Sequence, residues 1–194
     1  YLRSRFIDKG YKVSQIGTKK ISGLFGLHPL PDFLFNTQYS DVDKVYAFNR
    51  VMKDVSMQEK PDVILLGIPD SLLPLNNKHR FSFGLYAYEI FNAVQPDFVI
   101  TSLMANDGYN DEFYSEISKM AKYKYNVNID AYFVSQFCPL SNSIWSEKLS
   151  YVYLSRMELP KTEYKVYTTS DLNNDILFKQ AEKKLLLYGK YEQY

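Results

Sequence analysis

Asp70 is the first residue whose setting suggests chemistry. It follows Val63-Ile64-Leu65-Leu66-Gly67-Ile68-Pro69, a run that reads as a buried strand. A carboxylate just past such a strand is well placed to hold a magnesium-bound water. Asp-Ser after Pro is also a good turn, and the general preference of Asp for turns favours that reading. His28 precedes Pro29 in an aromatic stretch. It could act as a general base. No Ser or Cys nucleophile motif accompanies it, so a histidine hydrogen-bonded within its own loop is the favoured reading. His79, between Lys78 and Arg80, reads as a solvated turn or a weak anion contact. Cys138 is the lone cysteine, and a buried structural thiol suits it better than a nucleophile.

These residues need elements to position them. Leu2 to Lys9 reads as the end of an amphipathic helix stopped at Gly10. A chain starting inside a helix is expected to continue a longer protein, as its C-terminal domain. Residues 11–16 alternate into Gly17 as a strand. Residues 18–40 form a long ordered loop with Gly23, Gly26, Pro29, Pro31 and several aromatics. Such a loop is read evenly as functional or as a hydrophobic cover on a sheet end. Ser40 and Asp41 cap a helix over 42–57 with Val42, Val45, Phe48, Val51, Met52 and Val55 facing a core. The run after Pro61-Asp62 does not alternate, so its strand should be buried on both faces.

A polar loop spans 70–80, and a helix covers 83–94 with Leu85, Tyr86, Ile90, Phe91 and Val94 as core candidates. Pro96-Asp97 then repeats Pro61-Asp62, and a strand over 98–103 follows. A loop at 105–110, a helix over 111–124 and a strand over 129–137 continue the alternation. Strands over 151–157 and 164–168 precede a last helix over 172–188. Such βα alternation predicts a single α/β domain over 1–194, a three-layer sandwich with one mainly parallel sheet between helices.

In such sheets ligands bind where loops leave the carboxyl ends of strands. The loops there carry Thr18, Lys19, Lys20, His28, Asp32, Asp70, Ser71, Asn76, Asn77, Asn106, Asp107, Gln136 and Ser141, and Phe33 beside Asp32 is a further ligand or partner candidate. That set could serve a phosphorylated ligand or a partner. No Gly-x4-Gly-Lys-[Ser/Thr] and no Gly-x-Gly-x-x-Gly occurs, so no phosphate grip is visible.

Composition narrows the classes. Lys and Arg number 23 against 22 Asp and Glu, so bulk charge does not drive the chain onto nucleic acid or an anionic membrane. One Cys and two His argue against a multi-Cys metal centre, and no metal is expected. There is no run near the roughly 20 apolar residues of a bilayer span and no signal-like start, so the expected location is cytoplasmic. The 18 Tyr and 13 Phe could build a base-stacking surface, but without a basic groove they read as half-buried faces.

Four segments together carry a resemblance: Phe6 to Gly17, Gly26 to Asn36, Lys60 to Asn77, and Phe83 to Ile90 with Ala93 to Asp97. Their order and wording resemble the carboxyl-terminal half of the clostridial peptide maturation system proteins, which are encoded beside radical SAM peptide maturases. The resemblance covers most of 1–135 and fades beyond. It implies a P-loop NTPase-like domain of the class that includes dethiobiotin synthetase, truncated before its second strand. The phosphate loop would precede the helix that ends near Gly10. Gln15, Gly17 and Thr18 would face the nucleotide, and Gly67-Ile68-Pro69 would hold the Walker-B-like position, with Asp70 beside it. The family tends to show Gly-Gly where Asp70-Ser71 stands here, a departure from its pattern.

The resemblance implies no cofactor in this chain, and GTP or ATP with Mg2+ in the intact protein. The implied function is an accessory factor in ribosomal-peptide maturation. The alternative is a non-catalytic module that holds a precursor peptide or the radical SAM maturase. Whether the intact protein is an enzyme stays open, and neither reading expects hydrolysis by these residues alone.

Overall fold

A computed structural model describes residues 1–155 and 157–188. The chain is mixed α/β, with small, mostly parallel sheets. It divides into two compact units, Tyr1–Leu75 with Arg80–Gln95, and Asn76–His79 with Pro96–Tyr194.

In the first unit α1 (Leu2–Asp8) buries Phe6 and leads into β1 (Val13–Gly17). A 3-10 helix, Lys20–Phe25, ends at Gly26, whose φ of 67° is the left-handed conformation that glycine adopts without strain. The short β2 (His28–Pro29) and a second 3-10 helix, Asp32–Phe35, complete the 18–40 loop. The long helix α2 (Asp41–Glu59) follows. Ser40 caps it, its hydroxyl accepting from the Asp43 N–H at 3.2 Å. β3 (Val63–Leu66) and α3 (Leu85–Ala93) close the unit. The sheet order is β2-β1-β3, all parallel, with Val13 opposite Val63 and Ile16 opposite both Leu66 and His28.

The core of this unit gathers Ile16, Leu30, Leu34, Phe48, Met52, Ile90 and Ala93, with Phe33 and Ile64 packed on it. Three expectations change here. Val42 lies 62% exposed, and Lys44 takes an inward place on α2 because a buried carboxylate, Glu89, meets it there. On α3, Leu85 is exposed while Ala87, Glu89 and Ala93 are buried. β3 is half-buried along its length rather than buried on both faces. It has β1 on one side and, among the described residues, no strand on the other.

In the second unit β4 (Ile100–Leu103), β5 (Ala131–Val134) and β8 (Val166–Tyr167) form a parallel sheet in the order β4-β5-β8. Helix α4 (Asp111–Tyr125) joins the first two. Asn110 caps it through a 2.9 Å bond from the Phe113 N–H, and Asn126 ends it with a φ of 56°. Tyr114, Ile117 and Tyr132 centre the core, with Tyr109, Phe113 and Tyr164 around them.

Two expected elements are each split. The 129–137 strand becomes β5 and β6 (Phe137–Pro139), and β6 pairs antiparallel with β7 (Tyr151–Tyr153). β7 covers the start of the strand expected over 151–157; Arg156 lies outside the described residues. The last helix becomes α5 (Thr169–Leu172) and α6 (Ile176–Tyr188), because Asp175 takes a left-handed φ of 56° between them.

Candidate functional site

β1 and β3 run parallel, so their carboxyl ends come to one edge of the sheet. There the Gly67 N–H donates to the Ile16 carbonyl at 2.9 Å, and the Leu30 N–H donates to the Gly17 carbonyl at 3.1 Å. The first 3-10 helix folds over this edge. A cleft of about 320 Å3 lies between them, lined by Gln15, Gly17, Thr18, Lys19, Ser22 and Gly67 with apolar side chains from Ile16, Ile21, Phe25 and Leu27.

Two glycines stand where a side chain would crowd this edge. A Cβ on Gly17 would overlap the Ser22 hydroxyl and stand 2.8 Å from the Ser22 Cβ. A Cβ on Gly67 would stand 2.9 Å from Thr18 Cγ2 and 3.4 Å from the Ile16 carbonyl oxygen. The missing side chain of Gly17 therefore lets Ser22 of the 3-10 helix pack directly on β1. The cleft has an apolar wall and carries one amide, two hydroxyls and one ammonium, and it is shallow and widely open to solvent.

A second polar cluster lies on the same sheet. Ile16 and Ser14 share a face of β1, two residues apart. The buried Ser14 hydroxyl donates to Glu59 Oε2 at the last turn of α2, and His28 Nε2 lies 2.6 Å from Glu59 Oε1. The carboxylate sits in the middle and accepts from both. This is not the serine–histidine–carboxylate order of a hydrolase, in which the imidazole takes the serine proton. The Ser14 hydrogen bond holds the Glu59 carboxyl below its ordinary range; burial opposes it, and His28 and Lys12 assist.

Of the sequence-derived candidates, the cleft brings together Gln15, Gly17 and Thr18. His28 is bonded to Glu59 rather than within its loop. Asp32 is exposed at the start of its 3-10 helix, and Phe33 packs on the core. Asp70 lies in a left-handed turn with a φ of 65°. Its Oδ1 accepts from the Ser71 N–H at 3.0 Å, and its Oδ2 accepts from the Ser82 N–H at 2.9 Å and from the Ser82 hydroxyl. Its carboxylate thus staples the loop between β3 and α3.

The other candidates belong to the second unit. Asn76 donates to the Ile144 carbonyl at 2.8 Å, and its Oδ1 accepts from the N–H groups of Lys78 and His79. Asn77 is exposed. Asn106 Oδ1 accepts from the Gly108 N–H at 2.7 Å, an Asx turn. Cys138 is half-buried in β6.

Sequence reasoning missed Ser14, Ser22 and Glu59, since none stands in a local motif. In the second unit Gln136, a strand-end candidate of the sequence, lines a cleft of about 280 Å3 with Glu158, Thr168 and Ser170, which the sequence reasoning did not single out. The hydroxyl run Thr168-Thr169-Ser170 was the local signal for the rest of this cleft. Comparison of the chain with protein-family models, with curated proteins and with solved structures gives no match.

Proposed function

We propose that this chain is part of a cytoplasmic, P-loop NTPase-like accessory factor in ribosomal-peptide maturation, and that the intact protein seats a nucleotide at the carboxyl ends of β1 and β3. The observation that carries this reading is the glycine-walled cleft of Gln15, Gly17, Thr18, Ser22 and Gly67. Its apolar wall and hydrogen-bonding groups suit the base or sugar of GTP or ATP, with the phosphates and Mg2+ held by residues outside it. Asp70, whose carboxylate is taken up by Ser71 and Ser82, is in this reading a loop staple.

The edge of β3 supports the same reading. The N–H groups of Val63 and Gly67 point towards β1, onto the carbonyls of Lys12 and Ile16. By alternation, the backbone groups of Ile64 and Leu66 point to the other edge, where no strand pairs among the described residues. An edge strand usually carries charge, proline or a bulge, and Val-Ile-Leu-Leu carries none. The reading assigns that edge to the strand that leads into the phosphate loop.

Calorimetric titration of GTP and ATP with Mg2+ into the intact protein tests it. Saturable heat is expected, and no heat at any accessible concentration removes the nucleotide part. A second reading, a non-catalytic module for a precursor peptide or the radical SAM maturase, rests on the β6–β7 hairpin. Phe137, Tyr151 and Tyr153 are exposed there, the residue types that anchor interfaces. Retention of a labelled precursor peptide or the maturase, without nucleotide binding, would favour it.

A further inference from the structure

The β6–β7 hairpin has two unlike edges. The Leu140 N–H donates to the Ser150 carbonyl at 2.9 Å, and the Leu154 N–H donates to the Gln136 carbonyl at 2.8 Å. Cys138 stands opposite Val152 between them, so the hydrogen-bonded pairs fall at every second residue. The N–H and C=O groups of Tyr151 and Tyr153 therefore point away from β6, and no described residue bonds them. On the opposite edge the Phe137 carbonyl accepts from the Ala105 N–H at 2.8 Å, and Pro139 has no N–H to offer. The β6 edge is closed and the β7 edge is open.

The open edge lacks the usual guards against pairing. Leu149–Ser155 contains no charge, proline or glycine, and Tyr-Val-Tyr at its centre is made of strong strand formers. All three residues of β7 are exposed. By alternation Tyr151 and Tyr153 share a face with Phe137 and Pro139. The Phe137 and Tyr153 rings meet edge to face at 5.6 Å, and the Tyr153 hydroxyl donates to Gln136 Oε1 at 2.8 Å, so that face is held in place. Unpaired N–H and C=O groups at strand spacing are matched by another extended backbone. Tyr-Val-Tyr reads the same in both directions, so an antiparallel copy of it is self-complementary about a two-fold axis. The segment offers no charge that would select a foreign strand instead.

We infer that β7 is a self-association edge, on which a second copy of this chain pairs antiparallel through its own β7. Tyr151 of each copy then faces Tyr153 of the other, and Val152 faces Val152 on the axis. The product is one sheet in the order β6-β7-β7-β6, with Phe137, Tyr153 and Tyr151 continuous along one face. Because β6 is closed on its far side, pairing stops at two copies and does not run on into a filament. Each half-exposed aromatic has on the order of 100 Å2 left to bury. The patch therefore falls short of the roughly 800 Å2 per partner of a standard interface, and the dimer is weak and concentration-dependent. This inference is independent of the nucleotide seat, and it gives the hairpin aromatics to a copy of the chain rather than to a precursor peptide.

The test is sedimentation velocity of the whole chain between about 1 µM and about 1 mM. The wild type is expected to move from monomer towards dimer across that range. Val152→Lys and Val152→Glu each set like charges face to face on the axis, at the close cross-strand spacing of about 4.5 Å between Cα atoms, and each alone is expected to stay monomeric. An equal mixture of the two is expected to recover the dimer. Tyr151→Pro removes one outward N–H and leaves the β6–β7 ladder intact; it is expected to weaken association by about tenfold or more, with far-ultraviolet circular dichroism unchanged. A wild type that is monomeric throughout overturns the inference. So does a dimer that survives in both charge variants, or a mixture that associates no better than its parts. A hairpin that takes up a labelled precursor peptide while the protein stays monomeric also overturns it, and gives the edge to the peptide.

Discussion

His28 Nε2 lies 2.6 Å from Glu59 Oε1, so the edge strand β2 is tied to the last turn of α2 across 31 positions of sequence. The other carboxylate oxygen takes the hydroxyl of Ser14 on β1. One carboxylate therefore fixes the start of the sheet, its edge and the end of its covering helix.

The depressed Glu59 carboxyl makes acid sensitivity the first expected outcome. Its folded value lies below the unfolded value, so its stabilisation is present above 4.5 and is lost as pH falls through the folded value. Glu59→Gln should flatten that acid limb. The side chain is 37% exposed, so solvent screening holds the loss at neutral pH to about 1 kcal/mol. Urea denaturation between about pH 3 and about pH 7 reads this directly. An unchanged acid limb in Glu59→Gln would show that the Ser14–Glu59–His28 bridge contributes nothing.

At the cleft, Gly17→Ala forces the first 3-10 helix off β1, because the new methyl meets the Ser22 side chain. Overpacking of this kind costs about 1–3 kcal/mol. Ser22→Gly in the same chain should recover most of it. A thermal melt of the single and double variants decides the matter; equal losses in both would mean that Ser22 is not the obstacle.

Asp70→Asn separates a loop staple from a metal ligand. If the carboxylate serves Ser71 and Ser82, Ser82→Ala reproduces most of its effect on stability, about 1 kcal/mol by the usual value of a hydrogen bond. Neither change should alter Mg2+-dependent nucleotide binding by the intact protein. Loss of binding in Asp70→Asn alone would make Asp70 a ligand.

In the second unit, burial pushes the Tyr109 hydroxyl up to about 12, and its proton is donated to the Met104 carbonyl at 2.9 Å. Spectrophotometric titration of Tyr109→Phe should lose one tyrosine from the most alkaline step and keep the steps near the ordinary value of 10. Loss of an ordinary step instead would place Tyr109 in water.

The βα alternation was legible in the sequence, because apolar runs after Pro61-Asp62 and Pro96-Asp97 and the 3-4 spacing of α2 and α4 report strands and helices locally. Of the cleft residues, Thr18 was reachable from the strand end it occupies, and Gln15 and Gly17 were reachable only through the family resemblance. The inward turn of Lys44 was not, since its partner Glu89 is 45 positions away and periodicity assigns charge to water. Glu59 was hidden for the same reason: its partners Ser14 and His28 come from two strands. The break at Asp175 interrupts a continuous helical pattern, because an Asp in the left-handed region leaves the spacing of Ile176, Leu177 and Ala181 untouched.

The central claim is that the β1–β3 cleft seats a nucleotide. The direct measurement is isothermal calorimetry of GTP and ATP, with Mg2+, against the intact protein and its Gly67→Val variant, which crowds Thr18 in the cleft wall. The account predicts a saturable one-site isotherm for the wild type and an affinity lower by about tenfold or more for a variant that remains folded, equal to about 1.4 kcal/mol. Absence of heat with either nucleotide, or equal affinities in the two proteins, would contradict it.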